Sequence, residues 1–440
     1  MRTGILCAVP SSAEARIVAA IDAPGTGLQV VRRCADLPEV TALALAGVGR
    51  VVVLASALPG VDRAALSRLR EAGPATVLLA DAGDLERCRG LGADAVLSQD
   101  APPDVVVDAV RACERSAENL DDPAGIAQHE QALVAAGVTV EGGTGSSSPE
   151  GGGDRGRLVA VWGPHGSPGR TTVAVNLAAE LAALGERTLV VDADTYGGCV
   201  GQALGLMDEA PGLAAATRAT ANGLLDAGEL TRLCPVVEPG LRVLTGLSRP
   251  DRWRELAPSG LDVVWEASRA AADWTVVDCG FSLEEDAGAG FEAMLGPRRN
   301  GATLSALDAA DVVLTVGAAE PVGIQRLVQG LAELADRMGS GPAVSPRVVV
   351  NRIRASAAGP RPERAVTEAL VRYAGVSDAV LVPDDRDALD RAMLEGVTLR
   401  AAAPASPARV ALQDLAEELV GRASPERVKG RGRRARRIGR

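Results

Sequence analysis

The chain has 440 residues, 47% apolar and 2% aromatic, with a net charge of −11. That length supports two domains with sizeable cores of Val, Leu and Ala, a composition suited to helices packed on a parallel sheet. No apolar run reaches the length of a membrane span, and Met1–Pro10 is a poor signal peptide. Seven scattered cysteines form no Cys-x-x-Cys pair, and the only histidines are His129 and His165. This argues against a zinc site or disulfide framework and fits a reducing cytoplasm.

Residues 1–117 alternate short apolar runs with helical patterns. Strands are predicted at Gly4–Val9, Leu28–Arg32, Arg50–Ala55, Ala75–Ala80 and Asp94–Leu97, with amphipathic stretches such as Val61–Glu71 and Pro103–Arg115 between or after them. Five strands alternating with helices read as a small doubly wound domain. Residues 118–156 break the pattern. Gly142–Gly156 is rich in Gly, Ser and acids, which predicts a flexible linker.

From 157 the alternation resumes. Strands are predicted at Leu158–Trp162, Thr188–Asp192, Arg242–Leu244, Trp274–Val277, Val312–Val316, Val348–Asn351 and Ala379–Val382. Helices are predicted at Thr171–Leu184, Leu261–Ala272, Val322–Met338, Pro362–Tyr373 and Pro407–Gly421. Residues 422–440 hold nine basic groups and one acid, a net of +8, so the remainder carries −19. An acidic body with a basic tail argues against a broad nucleic-acid surface on the body.

The first strand after 157 runs into Gly163-Pro164-His165-Gly166-Ser167-Pro168-Gly169-Arg170-Thr171-Thr172, and a helix follows. A glycine-bearing turn between a strand and a helix N-terminus presents inward N–H groups and a favourable dipole to an anion. A hydroxyl at the helix start suits Mg²⁺, which assigns that role to Thr171. The pattern G-x-x-x-x-G-K-[ST] is met in part: Pro164 takes the first glycine position, with Gly163 just before it, and Arg170 replaces the lysine. Two later strands end in acids, at Asp192-Ala193-Asp194 and at Asp278. Acids at the C-terminal ends of parallel strands face the ligand crevice and hold Mg²⁺ through water or orient an attacking water.

In these features residues 157–421 resemble the MinD/ParA family of ATPases, whose loop reads K-G-G-x-G-K-[ST]-T. His165 stands at that family's signature lysine, Gly166 and Gly169 at glycines, Ser167 at the other glycine, and Arg170 at the phosphate-loop lysine. The resemblance implies an ATP–Mg²⁺ site in which Thr171 and Asp278 hold the metal, Asp278 through water, and Thr172 meets the α-phosphate. It implies catalytic roles for Asp194, Asp192 and Arg170, Asp194 positioning the attacking water. Asn351, in Val349-Val350-Asn351-Arg352, is similar to a residue that contacts adenine, and Leu381-Val382-Pro383-Asp384-Asp385 to a segment beside the base. The departures matter. Histidine is shorter than lysine and mostly neutral at pH 7, and a planar guanidinium differs in shape from a compact ammonium. Nucleotide binding is expected; fast hydrolysis is not.

Residues 1–117 resemble a receiver domain, equally with a generic small α/β domain, but without its phosphorylation chemistry. Their first, third and fifth strands end in Val9-Pro10, Ala55-Ser56 and Ser98-Gln99, and the segment contains no lysine. A pseudo-receiver joined to such an ATPase is similar to the CpaE/TadZ group, which positions Flp/Tad pilus machinery. The block Pro297–Leu304 resembles actinobacterial relatives described as septum-site-determining proteins, and on its residues alone Pro297–Thr303 reads as a charged loop. The fold class expected is α/β: a small receiver-like doubly wound domain at 1–117, then a P-loop NTPase domain at 157–421 with a mostly parallel sheet flanked by helices. A disordered basic tail at 422–440 would be drawn to an anionic membrane surface or nucleic acid.

Three readings of function follow. The first is an ATP-binding protein that places pilus or septum assembly proteins, as a homodimer, in the cytoplasm or peripherally at the inner face of the membrane. The second is a non-hydrolysing scaffold, and the third a ParA-like DNA-partitioning ATPase.

Overall fold

The computed structural model describes residues 2–10, 13–118, 155–206, 210–285, 298–338 and 346–422. Residues 119–154 of the expected linker (118–156) and 423–440 of the expected tail (422–440) lie outside the described residues. The chain divides into two compact units, one built on each of two sheets.

The first sheet contains β1 (Thr3–Ala8), β2 (Leu28–Arg33), β3 (Val51–Ala55), β4 (Ala75–Ala80) and β5 (Ala95–Ser98), all parallel, in the order β2-β1-β3-β4-β5. The two-residue period of the strands divides their apolar side chains between two cores. Ile5, Cys7, Val51, Val53, Val77 and Leu79 face the helices Glu14–Ile21 and Pro103–Glu118. Leu6, Ala8, Val52, Leu54, Leu78 and Ala80 face Leu37–Leu45, Arg63–Glu71 and Leu85–Arg89. The helix expected from Val61 starts at Arg63, because Asp62 caps it: Oδ1 accepts the Ala65 N–H at 2.8 Å.

The second sheet contains β6 (Arg157–Trp162), β7 (Thr188–Ala193), β8 (Val236–Glu238), β9 (Leu241–Leu244), β10 (Trp274–Cys279), β11 (Val312–Ala318), β12 (Arg347–Ile353) and β13 (Val380–Pro383). Their order is β13-β12-β11-β6-β10-β7-β9-β8, parallel throughout except for the β8–β9 hairpin. β8 escapes the sequence pattern because three residues carry no measurable period. The helix Arg170–Ala183 is buried along most of its length, between the strands and the last helix, Pro407–Leu419. The expected charged loop at 297–303 is corrected. From Arg298 to Asn300 the chain turns, and Gly301–Ala309 is a helix whose Ala302, Thr303 and Leu304 are buried. The arginines hid this, because the residues that matter there, Asn300 and Thr303, carry no apolar signal. Among the described residues, no helix is long and apolar enough to cross a membrane.

Candidate functional site

The ends of β6, β7, β10, β11 and β12 meet around the turn between β6 and the helix at Arg170. That turn needs backbone that L side chains rarely adopt: φ is +105° at Gly166, +54° at Ser167 and +98° at Gly169. At Gly169 space forbids a side chain as well, since a Cβ would lie 2.3 Å from Asn351 Nδ2. Asn351 braces the turn by donating Nδ2 to the Pro168 carbonyl at 3.0 Å, and its Oδ1 accepts the Arg352 N–H at 2.8 Å.

Arg170 points into this turn. Its Nε donates to the Cys279 carbonyl at 3.0 Å, its Nη1 to the Gly163 and Pro164 carbonyls at 3.2 and 3.3 Å, and its Nη2 to Asp194 Oδ2 at 3.3 Å. The side chain is only 12% exposed and that of Asp194 9%. The planar fork thus ties the turn to the ends of β7 and β10, a role a single ammonium could not fill.

Asp192 and Asp278 face each other across the β7–β10 register. Thr171 Oγ1 donates to Asp278 Oδ2 at 2.5 Å, and Cys199 Sγ stands 3.6 Å from the same hydroxyl. Asp278 Oδ1 is buried without a hydrogen bond. Asp192 accepts the N–H groups of Asp194 at 3.2 Å and Val200 at 3.0 Å. Burial raises both Asp192 and Asp278 above the usual carboxylate range; the Asp194 charge adds to the effect on Asp192, and the Asp192 and Asp194 charges add to that on Asp278. Asp194 Oδ1 accepts the N–H groups of Tyr196 and Gly197 at 2.8 and 3.2 Å.

A cleft of about 740 Å³ opens over these groups. It is lined by Ser167, Gly169, Arg170, Thr171, Thr172 and Asp194 of the turn and the strand end beside it, and by Asn351, Arg352, Arg354, Asp384, Leu389 and Met393 from β12 and the segments after β12 and β13. Pro383 closes β13 immediately before Asp384. Arg352 has φ +60°, a strained conformation of the kind that collects at ligand sites. His165 is exposed on the outer side of the turn, edge-on to Phe281 with ring centroids 6.4 Å apart, and neither it nor Gly166 lines the cleft. Asp192 and Asp278 lie beneath its floor, reached through Thr171 and Asp194.

Sequence reasoning missed Tyr196, Phe281, Arg354 and Asn300. The available signal was rarity: the chain has two Tyr and two Phe in all, and one of each follows the acids at 194 and 278.

A family model described as the CobQ/CobB/MinD/ParA nucleotide binding domain matches residues 159–398. The chain belongs to this family. Within it, the chromosome partitioning protein ParA of Caulobacter vibrioides is 40% identical over 80 residues, which span 16% of this chain and 30% of that protein. A ParA family ATPase from Chlorobium tepidum superposes with a TM-score of 0.51 at 18% identity, over 60% of this chain and 98% of that one. The cell division ATPase MinD of Pyrococcus furiosus gives a TM-score of 0.47 at 21% identity, over 60% and 99%. Residues 159–398 run from β6 to β13, so the family domain is the second sheet and its helices.

The cleft also makes a prediction about thiols. Six cysteines are buried, and only Cys199 is partly accessible, at the cleft wall. Burial pushes the Cys7, Cys113 and Cys234 thiols up to about 12 and Cys34 to about 11. At pH 7.5 an aromatic disulfide reagent should therefore release at most one rapid equivalent from the folded chain. Cys199→Ser should abolish it, and a ligand filling the cleft should slow it.

Proposed function

We propose that the chain binds Mg-ATP in this cleft and works as a nucleotide-dependent positioning switch of the MinD/ParA type. The observation that carries the reading is the Thr171–Asp278 pair under a left-handed glycine turn, with Asp278 Oδ1 buried and unpaired. A buried carboxylate oxygen without a donor fits a hydrated divalent cation as its missing partner. Thr171 and Asp278 would hold Mg²⁺, Ser167 and Gly169–Thr172 would meet phosphate oxygens with backbone N–H groups, and Asp194 would orient a water. Bound Mg²⁺ would supply charge neutralisation at the phosphates. Arg352, Arg354, Asp384 and Met393 would line the base end.

Titration calorimetry of the full chain with Mg-ATP tests this. Thr171→Ala should weaken binding at least about tenfold in Mg²⁺ and much less in EDTA, a metal contact being the one removed. A wild-type chain that binds no ATP would sink the reading.

The finer assignment is ours as well. The β2-β1-β3-β4-β5 order of the first sheet, with Val9, Ser56 and Gln99 after the strands where receiver chemistry needs acids and a lysine, supports a pseudo-receiver used for docking. Together with the family domain it supports a CpaE/TadZ-like protein that recruits pilus or septum assembly proteins, acting in the cytoplasm as a homodimer with its basic tail on an anionic surface.

A second reading, a scaffold that binds nucleotide without turnover, rests on Arg170. Its guanidinium occupies the turn and holds Asp194, the residue that would orient the water. If that is what limits turnover, Arg170→Lys should raise phosphate release at least about tenfold, the gain expected when a misplaced group is freed to align. An unchanged rate would remove Arg170 as the cause.

A further inference from the structure

The segment after Arg298, which reads as a charged loop, is hydrogen-bonded to both loops that follow the acids. Asn300, 3% exposed, makes three side-chain hydrogen bonds. Its Oδ1 accepts the Tyr196 hydroxyl at 2.9 Å; its Nδ2 donates to Ser282 Oγ at 3.1 Å and to the Glu284 carbonyl at 2.7 Å. One amide thus joins the loop after β7 to the loop after β10. Its neighbours repeat the link. Thr195 Oγ1 donates to the Arg299 carbonyl at 2.8 Å, the Arg299 guanidinium lies 4.1 Å from the centre of the Tyr196 ring, and the Gly280 N–H donates to Thr303 Oγ1 at 2.9 Å. The Tyr196 and Phe281 rings pack with centroids 4.7 Å apart.

The contact reaches the carboxylate within two residues. The Tyr196 backbone N–H donates to Asp194 Oδ1, so the residue whose hydroxyl Asn300 holds is also one that meets the carboxylate. On the other side, the Phe281 carbonyl accepts the indole N–H of Trp162 at 3.2 Å, at the end of β6 where the glycine turn begins. A fully satisfied buried amide between two loops rigidifies both, since moving either alone would strand its donors and acceptor.

We propose that Asn300 is a positioning residue that makes the Asp194 turn and the loop at 281–284 one mechanical unit. The functional meaning of that unit rests on the nucleotide reading above. A rearrangement at Asp194 is passed through the Tyr196 hydroxyl and Asn300 to Ser282 and Glu284. From there Glu285, paired with Arg337 at 2.8 Å, carries it to the helix Pro321–Met338. A nucleotide-dependent change beneath the cleft then acquires an outlet at the surface, where a partner could read it.

The test needs no nucleotide. In the full-length chain, Tyr196→Phe removes one hydroxyl and keeps the ring, and Asn300→Ala removes the pin. Each should raise amide hydrogen exchange at least about fivefold at both 195–197 and 281–284, with β7 and β10 unchanged, as local opening of one cooperative unit requires. The double variant should exchange no faster than Asn300→Ala. With 5-fluorotryptophan in the chain, the Trp162 resonance, assigned by its loss in Trp162→Phe, should shift in Asn300→Ala, though no hydrogen bond joins the two residues. Loosening confined to one loop, additive effects, or an unmoved Trp162 resonance would each overturn the proposal. If Asn300→Ala does not fold, Tyr196→Phe carries the exchange and fluorine measurements alone. Mg-ATP calorimetry on the same samples separates the two claims: failure to bind removes the nucleotide reading, while the exchange data still decide the pin.

Discussion

Replacing Glu180 by alanine is expected to cost about 3–5 kcal/mol of folding stability, the range seen when one member of a buried ion pair is removed. Glu180 is 2% exposed in the last turn of the helix Arg170–Ala183. It accepts Arg409 Nε and Nη2 at 2.7 and 2.8 Å, and Arg400 Nη1 at 3.3 Å. Arg409 is itself only 13% exposed, and a guanidinium is too basic to shed its charge at any working pH, so removing Glu180 leaves a buried cation without its main partner. Urea unfolding followed by tryptophan fluorescence measures the effect in the right unit, because Trp162, Trp253, Trp265 and Trp274 are the only tryptophans and all lie after 156. Replacing both charges, as Glu180→Leu with Arg409→Leu, should recover most of the loss, since a well-packed apolar pair avoids the desolvation penalty. A cost below about 1 kcal/mol for Glu180→Ala would mean that Arg409 swings into solvent and that the pair resembles a surface ion pair.

The second large effect falls on binding. Gly169→Ala puts a methyl group 2.3 Å from Asn351 Nδ2 on backbone with φ +98°. The conformational strain alone is on the order of 1–3 kcal/mol. The turn has two ways to relieve the clash: push Asn351 off the Pro168 carbonyl or flatten the glycine, and either moves the N–H groups that would meet phosphate. Mg-ATP affinity should fall at least about a hundredfold, consistent with an angstrom-scale displacement of a positioned contact. Adding Asn351→Ala to Gly169→Ala separates the causes. It opens the space but leaves φ unchanged, so affinity should return only in part. Full recovery would place the whole effect in the clash, and no recovery would place it in the backbone.

These two sites differ in how far the sequence announced them. The glycine turn, Thr171 and the acids at 192, 194 and 278 lie on short strand–turn–helix segments, whose spacing is local and readable. The parallel strands after 157 were likewise legible to within a few residues, the antiparallel β8 excepted, because runs such as Leu189–Val191 and Val348–Val350 are apolar on both faces, as a covered parallel sheet demands. Glu180 gave no such sign: one acid in a helix of Ala, Leu and Val reads as a solvated position until Pro407–Leu419 packs over it. The block after Arg298 misled in the opposite direction. Its charges read as surface, while the polar residues beside them were the buried ones.

What the sequence by itself determined is the layered α/β architecture, the phosphate-type turn and the set of acids at strand ends. Each follows from periodicity or from residues within one strand–helix unit. Only the tertiary structure decided where the side chains of that set point. Arg170 turns onto Cys279 and Asp194, Asn351 reaches back to Pro168, Tyr196 finds Asn300, and Glu180 finds Arg409, across 109, 183, 104 and 229 residues of chain for the Cys279, Pro168, Asn300 and Arg409 contacts. Hydrogen-bond partners so distant are set by which strands become neighbours in the sheet and which helices cover them. A buried polar group must find its partner among those neighbours, whatever its local sequence would otherwise favour.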